Sequence, residues 1–233
     1  MTPFSIIVPV FNEETILRRN IQALIQYADT LDSLYEIIVV SNGSTDSSDT
    51  IGRSMVKRYG QVKYYSIPEK GVGRAFKKGI KASRYDHIIF IDADLSADLT
   101  FIKLANQHLA ENALVLGTKI KGLQNRSLFR KFGSLVFYLS VRFIMGMKYV
   151  DYAPGAKAYQ KNFLKKYFNY IDDYTSFVLN LTYIATIKKI PLIEIPIACD
   201  DRRDSRFNLW REAVSKYRGL VTLKYKQIMD TIE

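Results

Sequence analysis

Residues 88–98 read Ile-Ile-Phe-Ile-Asp-Ala-Asp-Leu-Ser-Ala-Asp. Four apolar residues end in two carboxylates one residue apart. A run with no polar member predicts a strand buried on both faces of a parallel sheet. Side chains alternate along a strand, so the run would set Asp92 and Asp94 on one side of its carboxyl end. Open α/β sheets bind ligands at that edge. Two like charges this close are costly without a cation between them. Hard oxygen ligands suit Mg²⁺ or Mn²⁺, and such sites are commonly completed by substrate phosphates. The stretch therefore points to a metal-bound diphosphate. The plainer alternative is an acidic cap, with Asp98 starting a helix near Leu99.

Upstream, Ser5 to Val10 is a second apolar, β-branched run, followed by Asn12-Glu13-Glu14. Asn12 is a good N-cap and the two glutamates suit a first turn. They predict a helix to about Ala28. Glu36 to Val40 predicts a strand ending in Ser41-Asn42-Gly43-Ser44-Thr45-Asp46, where Ser44 could cap the next helix. Lys63 to Ile67 gives a third strand. Glu69-Lys70-Gly71-Val72-Gly73-Arg74-Ala75 is a glycine-bearing loop entering a helix to about Ser83. This βαβαβαβ order predicts an α/β fold, a Rossmann-like, mostly parallel sheet flanked by helices.

The 233 residues suit one domain, 1–233, with a sizeable core. There is no internal repeat or low-complexity tract. The first strand starts by Phe4, so no signal peptide is expected. Cys199 is alone, which excludes a disulfide framework and suggests a buried small hydrophobe. His87 and His108 are too few for a zinc site. The net charge is +11. No Asp or Glu occurs from Asn112 to Val150, whereas Lys119, Lys121, Arg126, Arg130, Lys131, Arg142 and Lys148 are basic. Leu128 to Met147 is apolar, but Arg142 near its middle makes a membrane-spanning helix costly. Two readings stay open: a basic amphipathic helix on a membrane surface, and a core helix with a solvated basic face. No nucleic-acid-binding motif accompanies the charge, so no nucleic-acid partner is expected.

In order and spacing, "SIIVPVFNEE", "IIVVSNGSTDSS", "EKGVGRAFKKGIKAS" and "FIDADLSAD" resemble the successive motifs of inverting family 2 glycosyltransferases with the GT-A fold. The wording is most similar to the polyprenyl-phosphate sugar synthase branch. The resemblance is specific to about residue 118. It implies that 1–118 holds a nucleotide-sugar and that 119–233, basic and helical, holds the acceptor. By the resemblance, Pro9, Phe11 and Glu13 line the nucleobase and ribose pocket, and Asn42 and Asp46 belong to the turn that touches the base. That turn usually reads Asp-Asp-Gly-Ser; here it is Ser41-Asn42-Gly43-Ser44. An amide both donates and accepts, where a carboxylate only accepts. Asp92 and Asp94 match the Asp-x-Asp motif, with Asp94 on the Mg²⁺ or Mn²⁺ and Asp92 by the ribose or metal.

The resembled synthases continue with a basic segment, Asp-x-x-x-Gly and an Arg-rich segment. Here these match Arg126 or Arg130 with Ser134, then Asp151-Tyr-Ala-Pro-Gly155, then Asp201 to Arg206. Arg130, Ser134, Arg202 and Arg206 are the implied phosphate and acceptor contacts, since arginine suits bidentate phosphate binding. Asp172-Asp173 precedes an apolar helix, Tyr174 to Ile187. Asp173 is the candidate general base, with helix capping as the alternative for Asp172. The expected activity is inverting transfer from a nucleotide-sugar to a polyprenyl phosphate, peripheral on the cytoplasmic face of a membrane. Transfer to a sugar hydroxyl in lipopolysaccharide or capsule assembly is the second enzyme reading. A nucleotidyltransferase or a non-catalytic, membrane-associated binding protein is the reading of another class. The sequence is silent on sugar, base and oligomeric state.

Overall fold

The computed structural model describes residues 1–118, 124–125, 136, 139–143, 145–149, 152, 155–200, 219, 221–222 and 224–225. In chain order the elements are β1 (Phe4–Val10), α1 (Leu17–Asp29), β2 (Tyr35–Asn42), α2 (Ser48–Arg58), β3 (Val62–Ile67), α3 (Val72–Ala82), β4 (His87–Phe90), α4 (Thr100–His108) and β5 (Leu114–Thr118). Then come β6 (Gln124–Asn125), β7 (Lys157–Gln160), α5 (Lys161–Lys166), a single 3-10 turn (Phe168–Tyr170), α6 (Phe177–Ile187), β8 (Leu192–Pro196) and β9 (Cys199–Asp200).

Seven strands form one sheet in the order β3-β2-β1-β4-β7-β5-β8, and β6 pairs with β9 separately. The expected parallel arrangement is present: β1 pairs parallel with both β2 and β4. The strand order therefore reverses at β1, which opens a crevice at the carboxyl ends of β1 and β4. The second half is not only helical. It adds β8 and inserts β7 antiparallel between β4 and β5.

Ile88, Ile89, Phe90 and Ile91 are all 0% exposed, as a run without polar residues requires. Each contributes roughly 1.5–3 kcal/mol by burial. One core lies under α1, α2 and α4, and another under α3 and α6. In the second, Phe76 of α3 stacks on Phe177 of α6 at 4.9 Å and meets Phe90 edge-on at 5.3 Å. These contacts bring the start of α6 against α3.

Three local expectations are corrected. Asn12 does not cap α1, which begins at Leu17. Asn12 instead takes a left-handed φ of 54°, tolerable for asparagine, and its backbone N–H donates to Ser44 Oγ at 3.1 Å. Ser44 accepts that bond and does not cap α2, which begins at Ser48. The third correction concerns Asp92 and Asp94: β4 stops at Phe90, so both lie beyond the strand.

Candidate active site

Past β4, Ile91 still donates its N–H to Ile7 O at 3.1 Å, which keeps the chain beside β1. The backbone then turns: Leu95 N–H donates to Asp92 O at 3.1 Å, and Leu95 sits at φ 52°. Left-handed backbone at a leucine costs about 1–2 kcal/mol. Such strain is held only where surrounding contacts over-determine it. Here Asn20 Nδ2 of α1 donates to Ala93 O at 2.9 Å, and Asp98 N–H donates to Ala198 O at 3.1 Å. Asp94 Oδ1 accepts Ser96 N–H at 3.0 Å. Asp92 and Asp94 thus share a tight turn at the crevice rather than one face of a strand. Asp98 does act as a cap, accepting Thr100 N–H at 2.8 Å at the start of α4, but it does so apart from the other two.

Gly155, just before β7, closes the other side. Its φ is 89°, and a Cβ there would stand 2.5 Å from Asp92 Oδ2. Only glycine lets the backbone lie this near the carboxylate. The Asp-x-x-x-Gly spacing was visible in the sequence, but its contact with Asp92 was not, because β7 arrives from the far half of the chain.

On the β1–β2 side, Pro9 is buried in β1 opposite Val40, and Phe11 is partly exposed just past the strand end. Lys70 Nζ stands 3.7 Å from the centre of the Phe11 ring. This cation–π contact was missed; the only sequence signal was a lysine directly before Gly71 in the glycine-bearing loop. Asn42 is 2% exposed, and both ends of its amide are used. Nδ2 donates to Val10 O at 2.7 Å, and Oδ1 accepts Gly71 N–H at 3.0 Å. These bonds occupy the amide that the resemblance would turn toward a base. Asn42 ties the ends of β1 and β2 to the loop that carries Lys70.

Asp46 bonds within the same rim. Its Oδ2 accepts Glu14 N–H at 3.1 Å and its Oδ1 accepts Ser48 N–H at 3.0 Å. Burial works to raise its pKa, but these bonds outweigh it and lower the value. Glu13 N–H donates to Ser48 Oγ at 2.9 Å, and Glu14 Oε2 accepts Ser47 N–H at 2.9 Å. The two loops after β1 and β2 are thus stitched into one rim.

Asp173 meets two cations of α3. Lys77 Nζ donates to its Oδ1 at 2.8 Å, and Arg74 Nη2 lies 3.0 Å from its Oδ2. The Lys77 bond, with the nearby charges, holds the Asp173 pKa below its ordinary value. Gly73 makes the contact possible, since a Cβ there would lie within 1.9 Å of Asp172 O. Asp172 behaves as the capping alternative predicts: its Oδ2 accepts Tyr174 N–H at 3.0 Å, ahead of α6. Burial pushes the Asp172 pKa up. A carboxylate shared by two cations is a weak proton acceptor, so this geometry argues against Asp173 as the general base. Arg130, Ser134, Arg202 and Arg206 lie outside the described residues.

A mostly parallel sheet whose order reverses between β1 and β4, with a strained acidic turn at the crevice, is the α/β architecture of the GT-A type. The chain belongs to glycosyl transferase family 2, whose family model matches residues 5–168. It is 27% identical over 218 residues to dolichyl-phosphate beta-glucosyltransferase of Drosophila melanogaster, covering 83% of this chain and 65% of that one. It is 26% identical over 213 residues to the human enzyme of the same name, covering 83% and 66%. It is 27% identical over 162 residues to undecaprenyl-phosphate 4-deoxy-4-formamido-L-arabinose transferase of Aeromonas hydrophila, covering 69% and 49%. The chain thus spans less than two thirds of the length of these curated relatives. Among solved structures, it resembles glucosyl-3-phosphoglycerate synthase of Mycobacterium tuberculosis in complex with UDP. The TM-score is 0.69 at 18% identity, with 96% of this chain and 80% of that one covered. A complex of that synthase with Mn²⁺ and UDP-glucose gives a TM-score of 0.67 at 16% identity, covering 94% and 79%.

Proposed function

We propose that this chain transfers a sugar from a nucleotide-sugar, with inversion, to a polyprenyl phosphate at a membrane surface. The observation that carries the reading is the Asp92–Asp94 turn, set where β1 and β4 part and braced from both halves of the chain. Its hard oxygens fit Mg²⁺ or Mn²⁺, and the glycine at 155 lets the backbone of the far half lie close against Asp92. When bound there, the metal offsets the charge that develops on the leaving diphosphate. Asp94 and Asp92 would hold the metal, and Phe11 with Lys70 would offer a face to the base. One domain serves both substrates, with 1–118 taking the donor and 119–233 the acceptor.

The acceptor is assigned from Asp173 and from the relatives. A sugar hydroxyl needs a base to take its proton, whereas a lipid phosphate arrives anionic. Asp173, ion-paired to Lys77 and Arg74, suits the second case. The relatives' names, with dolichyl and undecaprenyl phosphates, support the same choice. Arg130, Ser134, Arg202 and Arg206 are the proposed phosphate contacts, by the bidentate fork of arginine. No helix among the described residues is long and apolar enough to cross a membrane.

The test is a thermal-shift panel of UDP-, GDP-, CMP- and dTDP-sugars with and without Mn²⁺, followed by transfer assays with polyprenyl phosphate and with a glycan acceptor. A bound donor raises the melting temperature by mass action. Stabilisation by one donor that requires Mn²⁺, with transfer to the lipid, is expected. The absence of any such shift would overturn the reading.

A further inference from the structure

In segment 136–145, the described residues 136, 139–143 and 145 are helical. Val141, 0% exposed, and Met145, 7% exposed, pack into the core under α3 and α6. On the opposite side, Val136, Leu139 and Phe143 are 44%, 40% and 82% exposed. Their spacing puts them in one narrow stripe of the helix surface. Phe143 is the most exposed large apolar side chain among the described residues. Water would not favour so bare a stripe, and its flanks say what does. Arg142 borders it and is exposed, and Lys148 lies just beyond the end of the helix, also exposed. From residue 112 to 150 the sequence holds no Asp or Glu.

We propose that the face Val136–Leu139–Phe143 docks on an anionic lipid surface, with its apolar side chains among the acyl chains and Arg142 and Lys148 at the headgroups. An apolar stripe with a cationic rim is the build of a helix lying in the membrane interface. A second copy of the chain would bring the same positive rim against itself, whereas anionic lipid meets it with opposite charge. The inference deepens the lipid-acceptor reading, because it names the surface that would bring the site to its substrate. Its observations are independent of the acidic turn.

Sedimentation of the full chain with phosphatidylglycerol vesicles, and with phosphatidylcholine vesicles, tests it. The wild type binds phosphatidylglycerol vesicles at low salt, less at high salt, and phosphatidylcholine weakly. The L139S/F143S variant loses about tenfold or more in partitioning, as befits losing the burial of a large apolar side chain. Its melting temperature falls by a few degrees at most, since Phe143 is largely exposed and Leu139 only partly covered. R142Q weakens binding and reduces its salt dependence. Wild-type protein that stays in the supernatant at low salt would overturn the proposal. So would L139S/F143S binding as well as wild type. A dimer by light scattering that L139S/F143S converts to monomer would assign the stripe to self-association and overturn it as well. Donor thermal shifts are read separately: their absence defeats the transferase reading and leaves the vesicle result standing.

Discussion

Asp173 and Lys77 are joined by a 2.8 Å charge-assisted hydrogen bond between the turn before α6 and the second turn of α3. With Arg74 on the other oxygen, the carboxylate is part of a clamp. Removing a positioned general base costs ~10²–10⁴-fold in rate. Asp173→Asn should cost under about tenfold in turnover at saturating donor, because it removes a partly exposed ion pair and no proton acceptor. A loss of about a hundredfold or more, with unchanged melting temperature, would restore the base assignment and favour a hydroxyl acceptor.

Asp94→Ala should abolish Mn²⁺-dependent stabilisation by the donor and reduce transfer to background. Its side chain bonds within the turn, and the loss of the Ser96 bond by itself should lower the melting temperature by about 2–4 °C, equivalent to roughly 1 kcal/mol. Retained activity at ordinary metal concentration would remove Asp94 from the metal site.

Asn42→Asp would restore the residue usual at this place in the family motif, and it should harm the protein. The carboxylate could still accept from Gly71, but it would face Val10 O, now 2.7 Å from the amide nitrogen, with no proton to give. At a position 2% exposed, that mismatch should cost about 2–3 kcal/mol. For a chain of this size the melting temperature should drop by about 4–12 °C. A neutral or stabilising result would mean that Asn42 is free to turn toward the base.

Much of this was legible in the sequence for a simple reason. Apolar runs and turn residues are local, so the βαβαβαβ order and the place of the acidic pair at the carboxyl edge could be read directly. The Asp92–Asp94 pair was recognised, but its geometry was not, because a strand's end depends on what its neighbours bond. Past Phe90 only Ile91 keeps a bond to β1, and Asn20 and Gly155 shape the turn beyond it. The roles of Asn42, Asp46 and Asp173 were hidden for a related cause. A polar side chain's function depends on whether another loop has already claimed its oxygens, and those loops lie far away in sequence.

Glu36 supplies a pH test away from the site. It is buried in β2, pairs with Lys63 at 2.7 Å, and its Oε1 accepts Ser5 Oγ–H and Arg84 N–H. Burial alone would raise its pKa, but these partners outweigh it and lower the value. A depressed carboxylate stabilises the fold fully above the unfolded value of about 4.3 and loses that contribution as pH falls through the folded value. Urea unfolding should therefore show wild type more stable than Glu36→Gln at neutral pH, with the gap closing as the pH falls below the ordinary carboxylate range. A gap that stays constant with pH would show that Glu36 is held by its shape and not by its charge.

The antiparallel insertion of β7 also bears on how the molecule is made. β4 has β1 on one side, and on the other only β7, which the ribosome delivers long after β4 has emerged. Until then a nascent chain carries an apolar strand with one bare hydrogen-bonding edge, the kind that pairs with the wrong neighbour. The same delay leaves Asp92 without the glycine that lies against it. Arrival of β7 thus both covers the open edge of β4 and sets Gly155 against Asp92, and a chain stalled before it would keep an edge prone to aggregate.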